Sequence, residues 1–182
     1  MKQLFTIQAS NTHQPLLLRD SSQWPSIGAE LNRMPMMDTG LAPVFDFKQV
    51  DEQTLDLPDV CSVYIPGALA FKEELKEALF PNSSAELEFL PIAVSGRPWL
   101  LLNCLQTASG IDAAGSEVMR GLNGDICYVM KIRVTDPKAQ EWDVFTLTDS
   151  NRAQLFVTNA FRERFEKLGL KGVSFQAIGE IV

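Results

Sequence analysis

The clearest periodicity in the chain lies near its end. Phe161, Phe165 and Leu168 recur at i, i+4 and i+7, the spacing that lines one face of an α-helix. Thr158 precedes them, with a hydroxyl able to accept from a backbone N–H that lacks an intrahelical partner. Gly169 follows and suits the left-handed helix end. Arg162 and Glu166, and Glu163 and Lys167, stand four apart as exposed ion pairs, each contributing about 0.2–0.5 kcal/mol. A second stripe, Ala68, Phe71, Leu75, Ala78 and Leu79, predicts a helix over 67–79, closed by Pro81-Asn82. Alternation and short apolar runs predict strands elsewhere: Leu4 to Ile7, Pro15 to Arg19, Pro43 to Phe47, Val60 to Ile65, Glu86 to Ala93 and Trp99 to Cys104. Ser95-Gly96-Arg97-Pro98 reads as the turn joining the last two into a hairpin. Ile126, Tyr128, Met130, Ile132 and Val134 predict one long strand with a single apolar face. Shorter strands follow at Asp143 to Thr148, Leu155 to Val157 and Val173 to Ile178.

Between these elements the chain is irregular. Ser21 to Gly28 and Met34 to Gly40 are rich in turn formers. The Met34, Met36 and Met37 cluster suits gap-filling in a core more than an adaptable binding surface. Gln106 to Asp125 is small, polar and glycine-bearing, and predicts a loop with a short helix near Ser116 to Met119. Two segments, Cys61 to Phe89 and Gln154 to Phe175, share a strand–helix–turn–strand order. They read equally as two related units or as two ordinary amphipathic helices. The expected fold class is α+β: a mainly antiparallel or mixed sheet with two principal amphipathic helices packed on it. The 182 residues suit a single domain, with 1–56 less regular and 57–182 an α/β core.

Composition adds a sizeable core and an acidic surface. Hydrophobic residues make up 46% of the chain and charged residues 21%, which supports a packed domain. Sixteen basic against 23 acidic residues give a formal charge of −7. Such a chain repels nucleic-acid phosphates and anionic lipid unless it carries a basic patch. Its most basic stretch, 162–171, interleaves Arg and Lys with Glu. The acidity keeps the protein soluble or favours a basic partner. No run reaches the 18 apolar residues of a membrane span, and the N-terminus lacks the apolar core of a secretion signal. The expectation is a cytoplasmic protein that binds neither membrane nor nucleic acid. Oligomeric state is not legible. Cys61, Cys104 and Cys127 are odd in number, far apart and set in apolar stretches, so buried free thiols are expected.

The residues that carry common chemistry are sparse. His13 is the sole histidine and sits in a polar turn, so a histidine-based triad would have to use it. No CxxC pair, phosphate loop, dinucleotide fingerprint or nucleophile elbow occurs. Neither a cofactor nor a metal is expected. Paired carboxylates can support hydrolysis without histidine, and the acidic segment Asp46 to Asp59 is where to seek them. It lacks the glycine and ligand spacing of a calcium loop. Its charges read as those of a loop or of an edge facing a partner, with Asp51, Glu52, Asp56 and Asp59 as the candidate contacts.

Three stretches together carry a family resemblance: Trp99 to Leu105 continuing to Asp112 and Ser116, Leu155 to Phe165, and Gly169 to Phe175. They resemble the eleventh immunity-protein family of bacterial polymorphic toxin systems. Thr158 stands where that family usually has Ser, which keeps the hydroxyl, and Trp99 where Tyr is common. The resemblance spans roughly residues 57–178. It implies a cytoplasmic, non-enzymatic immunity protein that binds a cognate toxin protein and neutralises it by occluding the active site. It carries over no catalytic residue. The alternatives are a carboxylate-based enzyme that reverses or hydrolyses a toxin product, and a non-enzymatic regulatory binding protein.

Overall fold

A computed structural model describes residues 1–40, 43–48, 55–63, 67–150 and 154–182. Two mixed sheets share one interior. The first holds six strands in the order β2 (Leu16–Leu18), β3 (Val44–Phe47), β6 (Leu87–Val94), β7 (Arg97–Cys104), β5 (Leu69–Lys72), β4 (Val60–Ser62). The second holds seven, in the order β8 (Thr107–Ala108), β11 (Val144–Leu147), β12 (Phe156–Thr158), β1 (Lys2–Ala9), β13 (Val173–Ile181), β10 (Ile126–Val134), β9 (Glu117–Arg120). Three short α-helices occur among the described residues: α1 (Trp24–Glu30), α2 (Lys76–Leu79) and α3 (Asn159–Lys167). The α+β class with mixed sheets holds. The expected pair of principal helices does not, because the stripe over 67–79 forms strand first.

That correction has a packing cause. Leu69, Ala70 and Phe71 form an unbroken apolar run that pairs with β7 on one side and β4 on the other. Leu69 and Phe71 enter the core between the sheets, while Ala70 enters the opposite core. A strand covered on both faces reads as a continuous hydrophobic run, which periodicity alone does not separate from a helix. Only Lys76–Leu79 remains α-helical, after a 3-10 turn at Glu73–Leu75. The two similar segments therefore differ: β4, β5 and β6 lie in one sheet, with α2 between β5 and β6 in sequence, whereas β12 and β13 flank β1 in the other, with α3 between them in sequence.

β7 is the spine of the first sheet. Trp99 and Leu101 face a core roofed by α1 through Ile27, whereas Leu100, Leu102 and Cys104 face the core shared with the second sheet. In that shared core a ladder of phenylalanines runs Phe71–Phe80–Phe161–Phe175–Phe165, with neighbouring ring centroids 5.1–6.3 Å apart. Aromatic pairs at this spacing attract beyond the area they bury. The β6–β7 hairpin turns at Ser95-Gly96, both at positive φ (47° and 77°), as a two-residue turn matched to strand twist requires.

The second sheet curls into a barrel. Its interior holds Leu4, Ile126, Val129, Ile132, Phe145, Phe156, Ile178 and Ile181. The seam is closed by one segment. β8 pairs parallel with β11, and two residues later Gly110 O accepts from Thr135 N while Asp112 N donates to Arg133 O. Asp136, at 9% exposure, locks the seam: its carboxylate accepts from Ser109 N at 2.8 Å and from Lys138 N at 3.0 Å. Those bonds, the Ser109 one foremost, hold its carboxyl below the ordinary carboxylate range. A depressed pKa contributes stability above the unfolded value of about 3.9, lost as pH falls through the folded value. Acid titration of folding should therefore show a stability loss below about pH 4 that shrinks in Asp136→Asn. An unchanged acid limb in the variant would remove Asp136 from this role.

Candidate functional site

The second sheet is split along part of its length. β10 and β13 pair in parallel only from Ile132↔Gly179 to Val134↔Ile181. Upstream, residues 126–131 and 173–178 run on without register partners across the gap. Two register shifts in the β9–β10 pairing, between Ile126 and Tyr128 and between Val129 and Lys131, explain the divergence. Bulges bend and twist the strand that carries them. They also change its face. Buried positions on β10 fall at Ile126, Val129, Ile132 and Val134, so Tyr128 and Met130 are 50% and 56% exposed. The single apolar face expected from period-two spacing is thereby overturned.

The ribbon beside the split is unusually apolar for a surface. Met119, Tyr128 and Met130 are each at least half exposed, and Leu122 at its tip is fully so. Met119 and Tyr128 are direct cross-strand partners, so they share one side of the ribbon. The predicted helix near 116–119 is instead β9, since Val118 pairs against Val129. Where the strands meet, a groove of about 700 Å³ is lined by residues including Gln3, Met130, Lys131, Ala177 and Gly179. Arg133 sits at its end between Asp112 (3.0 Å) and Glu180 (3.1 Å). Gly179 permits the close junction there, because a Cβ at that position would lie 1.8 Å from Ile132 O.

The acidic candidates meet different fates. Asp51 and Glu52 lie outside the described residues. Asp56 is exposed, and its backbone bridges to residues 12–14. Asp59 is committed internally: it binds Lys72 Nζ at 2.5 Å and accepts from Lys171 N at 3.1 Å. It staples β4 to the turn before β13. His13 Nδ1 lies 2.9 Å from Ser10 Oγ and 3.0 Å from Thr12 Oγ1, within its own turn. Among the described residues no three His, Cys, Asp or Glu side chains come together to hold a metal ion. No helix among them is long and apolar enough to cross a membrane.

At α3, Thr158 occupies the N-cap position, but its hydroxyl donates to Asp143 Oδ1 at 3.1 Å rather than capping. Arg164 reaches the other Asp143 oxygen at 2.6 Å. The Arg162–Glu166 pair forms at 3.6 Å, whereas Glu163 takes a hydrogen bond from Asn159.

The thiols separate into two kinds. Cys61 and Cys104 are buried, and burial pushes the Cys61 thiol up to about 11. Cys127 is exposed on β10, contrary to the expectation of burial, because the first bulge turns it outward. A thiol-reactive maleimide at neutral pH should modify Cys127 alone in the folded chain and all three cysteines after denaturation. Labelling of Cys61 at the rate of Cys127 would contradict this arrangement.

Sequence reasoning missed the split because each strand beside it is ordinary. The signal that was present is the mixture of exposed-length apolar residues, Met119, Leu122, Tyr128 and Met130, in a polar, glycine-bearing context. No family model matches the chain, and no curated protein matches it.

Proposed function

We propose that this chain is a binding protein that occludes a cognate toxin, acting as a stoichiometric immunity protein. The observation that carries the reading is the exposed apolar ribbon β9–β10 beside an open sheet edge. Isolated exposed hydrophobics are ordinary, whereas a contiguous group marks a contact surface. Aromatic and methionine side chains are enriched at the centres of protein interfaces. The resemblance over residues 57–178 supplies the partner class, and the charge of −7 suits a basic toxin surface.

Occlusion needs no reacting group on this chain. It needs a surface that excludes substrate from the toxin's site and dissociates slowly. The apolar ribbon would supply the slow dissociation, and the acidic surface would speed encounter. The test is a search of the genes adjoining this one for a toxin-like product, followed by a titration of this chain against that product; the lack of any such gene would count against the reading. Met130→Asp with Tyr128→Asp should weaken the complex by about 100-fold or more, the loss of a central apolar contact, while leaving the melting temperature unchanged. Asp56→Lys should slow association and flatten its salt dependence, with little change in dissociation rate. Wild-type affinity in both variants would place the interface elsewhere.

A further inference from the structure

We infer that the cavity at the crossing between the two sheets binds an uncharged, hydroxyl-rich small molecule of about monosaccharide size. The site does not depend on the toxin reading above. Leu105 and Gln106 carry the chain from β7 of the first sheet to β8 of the second. A cavity of about 180 Å³ opens there. Its wall combines the turn after α2, Gln106 at the crossing, Trp142 and Asp143 before β11, and Arg164 on α3. A single water takes ~30 Å³ of the liquid, so the space suits a compact small molecule.

The decisive residue is Gln106. It is 4% exposed and lines the cavity. Its backbone carbonyl accepts from Thr146 N at 2.9 Å and from Thr146 Oγ1 at 3.2 Å, which fixes the main chain. Its Nε2 donates to Ser84 Oγ at 2.8 Å. Its Oε1 accepts no hydrogen bond from any described residue. That oxygen is not sealed in the core either, so it faces the cavity. A buried amide left with a free polar atom costs stability unless something in the cavity pairs with it. Trp142 is half-buried in the same wall, and its indole N–H likewise has no partner among the described residues.

The chemistry of the ligand follows from the lining. Its charged residues are Glu141, Asp143 and Arg164, two carboxylates against one guanidinium, a net of −1. Phosphates and carboxylates are therefore repelled. Asp143 and Arg164 neutralise one another at 2.6 Å. The other Asp143 oxygen accepts from Thr158, and Arg164 Nε donates to Leu79 O. A cationic ligand would meet only Glu141, which is exposed, and a charge screened by water attracts weakly. The remaining polar groups are neutral: the Gln106 and Asn82 amides, the Ser83 hydroxyl and the Trp142 N–H. A hydroxyl both donates and accepts, so it serves Gln106 whichever way the amide is turned. A polyol serves several such groups at once. Phe80, Leu87 and the Trp142 ring give apolar walls for the C–H faces of a sugar ring.

The test is a titration of the full chain with D-glucose, D-galactose, D-mannose and D-ribose, each to ~50 mM, followed by NMR of the side-chain amides. Acetate, glycine and putrescine are the charged comparators. At least one sugar should shift the Gln106 side-chain resonances saturably and raise the melting temperature. Gln106→Met nearly keeps the volume and removes the amide, and should weaken that binding about tenfold or more. If this variant does not fold, the Gln106 resonances of the wild-type chain decide alone. No saturable shift with any of the sugars assigns the cavity to water and overturns the proposal. Sugar binding that leaves the Gln106 resonances unmoved, or that keeps its wild-type strength in the folded variant, overturns this site. Saturable shifts with acetate, glycine or putrescine in place of the sugars overturn the uncharged ligand class.

Discussion

Gly172→Ala is expected to destabilise the protein by about 3–5 kcal/mol, among the largest effects of any single substitution. Gly172 has φ +115°, where an L side chain is strained. An added Cβ would lie 2.0 Å from Val60 O and 2.4 Å from Pro58 Cβ. The first obstacle is backbone, so no rotamer change relieves it. Val60 is itself held, since its N–H donates to Lys171 O. Movement would therefore break the Asp59–Lys171 staple, and with it the junction between β4 of one sheet and β13 of the other. Gly169→Ala is the control. Gly169 is also at positive φ (64°), but nothing lies within 4 Å of its added Cβ. It should lose only about 1–2 kcal/mol, the strain of the left-handed conformation. Denaturant unfolding of both variants measures the difference. Equal losses would mean that the close approach at Val60 contributes nothing.

Asn103→Leu should lose about 3 kcal/mol, although leucine nearly matches the volume. Asn103 is fully buried beside fully buried Asn32. Its Oδ1 accepts from Asn32 N at 2.5 Å, and its Nδ2 donates to Glu88 Oε2 at 2.7 Å and to Met34 O at 3.0 Å. Asn32 answers by accepting from Cys104 N at 2.8 Å and donating to Gly67 O. The same Glu88 oxygen accepts from Met36 N. One side chain thus ties the 32–36 turn to the sheet and helps seat Met36 in the core. Leucine would take from the Asn32 N–H and the Met34 carbonyl the partner that Asn103 gives them, and would remove one of the donors to Glu88; losses of this kind at buried polar groups are costly. A loss below about 1 kcal/mol would show that the turn repairs these bonds by itself.

Strand positions were legible wherever one covered face dominates. The hairpin at Ser95-Gly96, the β3 alternation and the final strand all follow from turn residues and period two. α3 was legible because Phe161 and Phe165 point into one core. Errors arose where tertiary pairing overrode a local pattern. Residues 69–71 match a helical stripe, yet they are buried on both faces of a strand between β4 and β7. Residues 126–134 alternate in sequence, yet two bulges change which of them face the core. Thr158 was placed correctly as the N-cap residue, but Asp143, 15 positions away in sequence, takes its hydroxyl. The exposed apolar surface follows from the bulges, so no local window could contain it. The acidic candidates were chosen by charge alone. Asp59 shows what that omits, since a lysine 13 residues away and a backbone N–H hold it.

The proposed occlusion by an apolar ribbon would make one demand on quantity: each toxin molecule would need its own copy of this chain. Activity of a candidate toxin domain, measured against increasing ratios of this protein to it, tests that demand most directly. The account predicts a linear fall that reaches full inhibition at one copy per toxin. Full protection at a small fraction of that ratio would show turnover, and would contradict a binding mechanism.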